Sequence, residues 1–184
     1  MAGNRREQIL ATAAELFAER GFHGVSVVEL GAACGISGPA LYKHFPSKDA
    51  MLAEMLVDIS EELLRVGRSR NAAAVDASEA LHALVCWHVE FALHHKPLIV
   101  VQERDWASLP DEARERVRGL QRRYVGLWAS RLCEVHEGLP PKRARAMAHA
   151  AFGMLNSTPH SAMLPEPEMS GVLEEMALRA LGLG

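Results

Sequence analysis

The strongest constraint on this chain is periodicity. Apolar residues recur at helical spacing from end to end, and the strict alternation of a half-buried strand is nearly absent. Ile9, Ala13, Leu16 and Phe17 follow the i, i+4, i+7, i+8 pattern of a helix with one buried face, and Gly21 suits its C-terminal cap. Ser26-Val27-Val28-Glu29 reads as a capping box, in which hydroxyl and carboxylate each satisfy a free amide at a helix start. That short helix stops at Gly35, and Gly38-Pro39 opens a third, where the missing proline N–H costs nothing. Ser47 is a good N-cap for a fourth, striped by Leu52, Met55, Leu56, Ile59, Leu63 and Val66.

The polar, alanine-rich stretch 68–77 interrupts the pattern and is expected to be a loop between a small head and a larger body. Five more helices follow: about Ser78 to His95, Pro97 through Trp106, Pro110 to about His136, Pro141 to about Leu155, and about Glu168 to Leu181. The predicted fold class is all-α, with about nine helices.

The chain has 184 residues, 49% hydrophobic and 23% charged, which excludes intrinsic disorder. No apolar run approaches the roughly 20 residues of a membrane span, and the N-terminus lacks a secretory h-region, so the expectation is a cytoplasmic protein with no membrane partner. Cys34, Cys86 and Cys133 form no CxxC pair. His88 and His95, spaced i, i+7, do not make the i, i+4 arrangement of a two-histidine metal site. No phosphate loop, GxSxG or acid–base constellation is present, so no catalytic residue, metal or cofactor is expected. Net charge is −3, and bases balance acids over residues 1–52, so gross charge does not decide for or against DNA.

The decisive stretch is SVVELGAACGISGPALYKHFPSKDAML, residues 26–52. A DNA-reading helix-turn-helix needs a helix crossing the backbone, a tight turn and a second helix for the major groove. Gly35 supplies the turn, while Val28, Leu30, Ile36, Leu41 and Phe45 are expected to pack the two helices together. The second helix, about Ser37 to His44, offers Ser37, Tyr42, Lys43 and His44 to a duplex. Ser26 and Lys48 begin the flanking helices, where Lys48 and the nearby amides suit phosphates. Gly38, Pro39 and Ala40 carry almost no hydrogen-bonding groups, so base reading there would lean on thymine methyls and DNA shape.

These residues resemble the TetR family of transcriptional regulators. The likeness is carried by Ser26, Leu30, Gly35-Ile36-Ser37, Leu41-Tyr42, His44-Phe45 and Ser47-Lys48-Asp49, and by Ala13-Ala14-Glu15-Leu16-Phe17 and Gly21-Phe22 before them. Gly31 and Cys34 stand where the family usually has alanine. The resemblance implies a three-helix head, residues 1–51, that binds a palindromic double-stranded operator. It also implies a helical body, residues 52–184, that binds a small-molecule effector and forms a homodimer through its last two helices. Ala144, Ala148, Ala151 and Phe152 form a small-residue stripe suited to such close approach.

Within the body, Trp87, Phe91, Trp106, Tyr124, Trp128, Phe152 and Met154 are the candidate apolar lining. His88, Glu103, Arg104, Arg123 and Asn156 are the candidate polar anchors. The segments VVQERDW and FGMLNSTPHS are similar to actinobacterial members of the family associated with fatty-acid and acyl-CoA catabolism, which implies an apolar or amphipathic, acyl-CoA or lipid-like effector. The alternative is a DNA-binding regulator with no small-molecule effector, controlled by a partner or by its abundance.

Overall fold

The structure is a computed structural model that describes residues 2–184, with side chains described from Arg5 onward. Among the described residues it is all helix and turn, with no strand. The order is α1 (Ala2–Arg20), α2 (Val27–Ala33), α3 (Gly38–Leu41), α4 (Lys48–Ala73), α5 (Ala77–His94), α6 (Lys96–Asp105), a 3-10 turn at Trp106–Ser108, α7 (Asp111–Val135), α8 (Pro141–Leu155), α9 (Thr158–Ser161) and α10 (Glu166–Ala180). The chain forms two compact units, one of residues up to Ile59 with Pro97–Val117, the other of Ser60–Lys96 with Arg118–Gly184. Their boundary falls inside α4, which contributes to both cores.

The first unit closes around Ile9, Phe17, Phe22, Leu30, Leu41, Phe45, Leu52 and Leu56, joined by Val101, Leu109 and Val117. Phe17 meets Phe22 edge to face at 5.2 Å, which fixes the exit from α1. Gly21 (φ 81°) and Gly35 (φ 66°) take the left-handed conformation that ends α1 and turns the chain after α2. Gly31 has a different reason to lack a side chain. A Cβ there would lie 2.8 Å from the Ile36 oxygen and 2.9 Å from the Gly38 nitrogen, so the turn between α2 and α3 passes directly over it. The family's usual alanine does not fit this turn.

In the second unit α10 packs against α5 and α8, and α5 against α8. Its core holds Leu81, Leu84, Val85, Trp128, Leu132, Leu155, Leu173 and Ala177. Ala144, Ala148 and Ala151 are buried within this single chain, so the small-residue stripe is already covered by the chain's own helices. The large apolar side chains left open here are Val172 and Met176 on α10, Met163 and Leu164 just before it, and Val75 before α5.

Besides α3, which is only Gly38–Leu41 where about Ser37 to His44 was expected, the structure differs from expectation at two elements. The polar stretch 68–77 is helical as far as Ala73, because arginine and alanine are good helix formers even without an apolar stripe; the connection to α5 is only residues 74–76. Asp76 then N-caps α5, accepting a 2.8 Å bond from the Glu79 amide. The single turn α9, with Pro159 in its first turn, fills what reads in the sequence as a loop. Thr158 at its start is buried and donates its hydroxyl to the Ala92 carbonyl at 2.7 Å.

Candidate nucleic-acid interface and a buried aromatic cluster

The α2–α3 pair is built by local hydrogen bonds. Ser26 forms the expected capping box: its backbone N–H donates to Glu29 Oε2 at 2.8 Å, and the Glu29 amide donates to Ser26 Oγ at 3.2 Å. Arg20 closes on the same carboxylate at 2.6 Å. The Ser26 hydroxyl and amide, then Arg20, hold the Glu29 carboxyl down at about 2. Ser37 N-caps α3 by accepting from the Ala40 amide at 3.3 Å, so Ser26 and Ser37 both spend their hydroxyls on the turn.

Tyr42 is half exposed and Lys43 exposed, whereas His44 is half-buried, its carbonyl accepting from Arg6. Arg6 also pairs with both Glu54 oxygens and lies 4.1 Å from the centre of the Phe45 ring, tying α1, the end of α3 and α4 together. Pro39 is exposed, with Gly38 and Ala40 partly so. Lys48 is placed differently from a free phosphate ligand. Its ammonium donates to the carbonyls of Phe22 at 2.7 Å and Val25 at 2.9 Å, and lies 4.4 Å from the Phe22 ring centre. It clamps the loop that leads into α2.

Val28 is a residue that sequence reasoning assigned to the wrong side. It was expected between the two helices, yet it is 73% exposed, with its Cα next to Gly38 at the start of α3. The capping box carried the signal, because it fixes where α2 starts and therefore which of Val27 and Val28 faces outward. A bare methyl surface at the head of α3 suits the apolar reading of thymine expected there.

In the second unit most of the candidate ligand residues converge. His88 on α5 stacks on Phe152 of α8 (4.6 Å between centroids, 7° between planes) and on Tyr124 of α7 at 5.7 Å. Trp128 meets Phe152 edge-on at 4.9 Å and Tyr124 at 6.1 Å. Phe91 lies 5.9 Å from His88 and 6.1 Å from Trp87. Asn156, at the end of α8, bonds to His88 Nε2 at 3.0 Å through its side-chain oxygen, so Nε2 donates and Nδ1 carries the lone pair. Burial depresses the His88 imidazole to about 4, against the raising effect of Asn156, which keeps it neutral. Burial also pushes the Tyr124 phenol well above its ordinary value, with the nearby Trp128 N–H pulling the other way.

Three polar atoms of this cluster, His88 Nδ1, Tyr124 Oη and Trp128 Nε1, are buried with no partner in hydrogen-bond geometry, although the Trp128 N–H lies near enough to Tyr124 Oη to act on it. Each such group costs about 1–3 kcal/mol. Trp87, by contrast, donates its indole N–H to the Leu63 carbonyl at 3.0 Å. The other candidates lie elsewhere. Trp106 packs on the core of the first unit. Arg104 donates to the Phe17 and Ala18 carbonyls at the end of α1. Glu103 and Arg123 are exposed, and Met154 is half-buried. Among the described residues no group of three or more His, Cys, Asp or Glu could hold a metal ion, and no helix is long and apolar enough to cross a membrane.

A head of this design, with a capped helix, a glycine turn and a short exposed second helix, defines a helix-turn-helix regulatory protein. Residues 9–55 match the bacterial regulatory proteins of the tetR family, and residues 74–160 match a tetracyclin repressor-like C-terminal domain. The chain belongs to the TetR family. It is 31% identical over 125 residues to the HTH-type transcriptional repressor KstR2 of Rhodococcus jostii, covering 67% of this chain and 61% of that protein. The chain thus aligns with about three fifths of that relative's length. Among solved structures it resembles PfmR, a TetR family regulator from Thermus thermophilus (26% identity, TM-score 0.80, 93% and 97% of the two chains covered). The fold is shared too with AibR, solved in complex with isovaleryl coenzyme A and operator DNA (21% identity, TM-score 0.78, 94% and 97% covered). The family and these relatives are transcriptional regulators rather than enzymes.

Proposed function

We propose that this protein is a cytoplasmic, homodimeric transcriptional repressor whose residues 1–51 bind a palindromic operator. Residues 52–184 bind a small apolar or amphipathic effector that releases the DNA. The observation that carries the reading is the α2–turn–α3 unit, whose surface presents Val28, Tyr42 and Lys43 while Ser26, Ser37 and Lys48 are spent on holding its shape. In this reading Gly38, Pro39 and Ala40 allow close approach to the groove floor, His44 contributes its ring edge, and Lys43 meets phosphate. KstR2, to which the chain is similar, is named a repressor.

A single head reads one half-site, so a palindrome calls for two. The open apolar residues Val172 and Met176 on α10 support a second copy as their cover. AibR, which shares the fold, holds isovaleryl coenzyme A, and this supports an acyl-CoA or lipid-like effector here. The close stacking of His88 on Phe152 favours a second reading, a regulator with no effector, because a body of that kind has no need of space in its core.

Selection of bound duplexes from a randomised pool tests the proposal directly. An inverted repeat with half-sites about one helical turn apart is the expected product. Recovery of no preferred sequence, or of a single half-site bound by a monomer in sedimentation, overturns it.

A further inference from the structure

The unpartnered atoms of the aromatic cluster carry information about what the body binds. Three such atoms on neighbouring residues, His88 Nδ1, Tyr124 Oη and Trp128 Nε1, are enclosed by Phe152, Phe91 and each other. All three side chains are at most 2% exposed. A buried apolar core gains nothing from them, because phenylalanine would fill Tyr124's place without an orphaned hydroxyl.

Their chemistry is specific. Trp128 can only donate and Tyr124 can donate, so together they suit the two lone pairs of one carbonyl oxygen. With Nε2 committed to Asn156, His88 Nδ1 can only accept, which suits an N–H or O–H beside that carbonyl. Arg70, whose guanidinium lies 5.2 Å from the Trp87 ring centre, is the cation beside this cluster and is already committed to Glu90 at 2.6 Å, so a carboxylate or phosphate would be buried there without a free counter-charge.

We infer that the body recognises its effector by an uncharged carbonyl flanked by an N–H or O–H donor, held by Trp128, Tyr124 and His88, while an apolar chain displaces the stacked rings around them. The inference rests on the effector-responsive reading above and gives that effector its class: a neutral amide or hydroxy-carbonyl end, not a free acid. Two sources share this chemistry, a free neutral lipid-like molecule and the hydroxyacyl end of a coenzyme A thioester.

The test uses the full chain and four probes with the same ten-carbon chain: decanamide, methyl decanoate, decanoate and 3-hydroxydecanoyl coenzyme A. Binding is followed by calorimetry and by tryptophan fluorescence at neutral pH, without DNA. Decanamide and decanoate have the same shape and differ in charge. Decanamide is expected to bind at least about tenfold more tightly, with methyl decanoate between them for want of a donor. Tyr124→Phe and Trp128→Phe should each weaken decanamide by about tenfold; Tyr124→Phe should leave the melting temperature unchanged or raised, since it removes only an orphaned hydroxyl, whereas Trp128→Phe also empties volume in a fully buried place and should lower it. A purely structural role for Tyr124 predicts the opposite pair of results for Tyr124→Phe. 3-Hydroxydecanoyl coenzyme A bound with the same sensitivity to Tyr124→Phe identifies the thioester as the source, and decanamide bound while that thioester is not identifies a free molecule.

Decanoate binding as tightly as decanamide overturns the inference. So does decanamide binding that ignores both variants, or no binding by any probe at millimolar concentration. Failure of the regulatory reading is seen separately, as loss of operator binding in a gel shift, which these measurements do not involve.

Discussion

The ring of Tyr124 rests against the backbone of Gly67, where α4 and α7 pass each other inside the body. A Cβ on Gly67 would lie 2.6 Å from Tyr124 Cε2 and 3.4 Å from a Leu84 methyl. A glycine in mid-helix costs about 1 kcal/mol against alanine, so the site keeps it for the ring's sake. Gly67→Ala should therefore destabilise the body by about 1–3 kcal/mol despite its better propensity, through displacement of a buried ring. Urea unfolding gives the sign, and an increase in stability would mean that the ring yields freely.

Gly31 tests the same logic in the head. The obstacle there is backbone, the Ile36 carbonyl and the Gly38 amide, rather than a side chain. Gly31→Ala should cost about 1–3 kcal/mol and abolish operator binding by prising α3 away from α2. A variant that melts at the wild-type temperature and still shifts the operator would refute this account of the turn.

Lys43 and Lys48 should separate cleanly in salt titrations. Lys43→Ala is expected to lower the magnitude of the log K versus log[salt] slope by about one, as loss of a phosphate contact requires. Lys48→Ala removes the clamp on the Phe22 and Val25 carbonyls instead. It should weaken operator binding and lower head stability by about 1–3 kcal/mol, with the slope unchanged. Equal slope changes for the two variants would return Lys48 to the phosphate surface.

His88 predicts a pH dependence of the body. Its folded value is depressed to about 4 from 6.5, so between these limits the unfolded chain binds the extra proton. The stability held by neutral His88 is complete above pH 6.5 and is lost progressively as pH falls toward 4. Thermal melts of wild type and His88→Gln should diverge in their pH dependence across that window and run parallel above it. Parallel behaviour throughout would mean that the ring is protonated without cost.

Much of this was legible in the sequence, and the parts that were not share a cause. The caps at Ser26 and Ser47 and the turns at Gly21 and Gly35 are local rules, and each appears in the structure as read, while Ser37, expected on the duplex, caps α3. His88, Tyr124, Trp128, Phe152 and Asn156 were singled out by type alone, and the helices bring them together. Trp106 and Arg104 have the same chemistry on paper, but their place depends on which unit α6 joins, and periodicity does not encode that. The space demands at Gly31 and Gly67 come from segments that arrive from elsewhere in the chain, so a single sequence reads them only as weak points in a helix.

Arg104 has a consequence for how the head comes apart. The last carbonyls of α1, at Phe17 and Ala18, are held by a side chain rooted in α6, nearly ninety positions later. A helix that ends on its own residues frays alone; one whose final turn is fastened from outside can fray only when the fastening lets go. The closing turn of α1 and the segment around Arg104 should therefore trade their amide protons for deuterium at a common rate, as a single opening event, although hundreds of atoms of chain separate them.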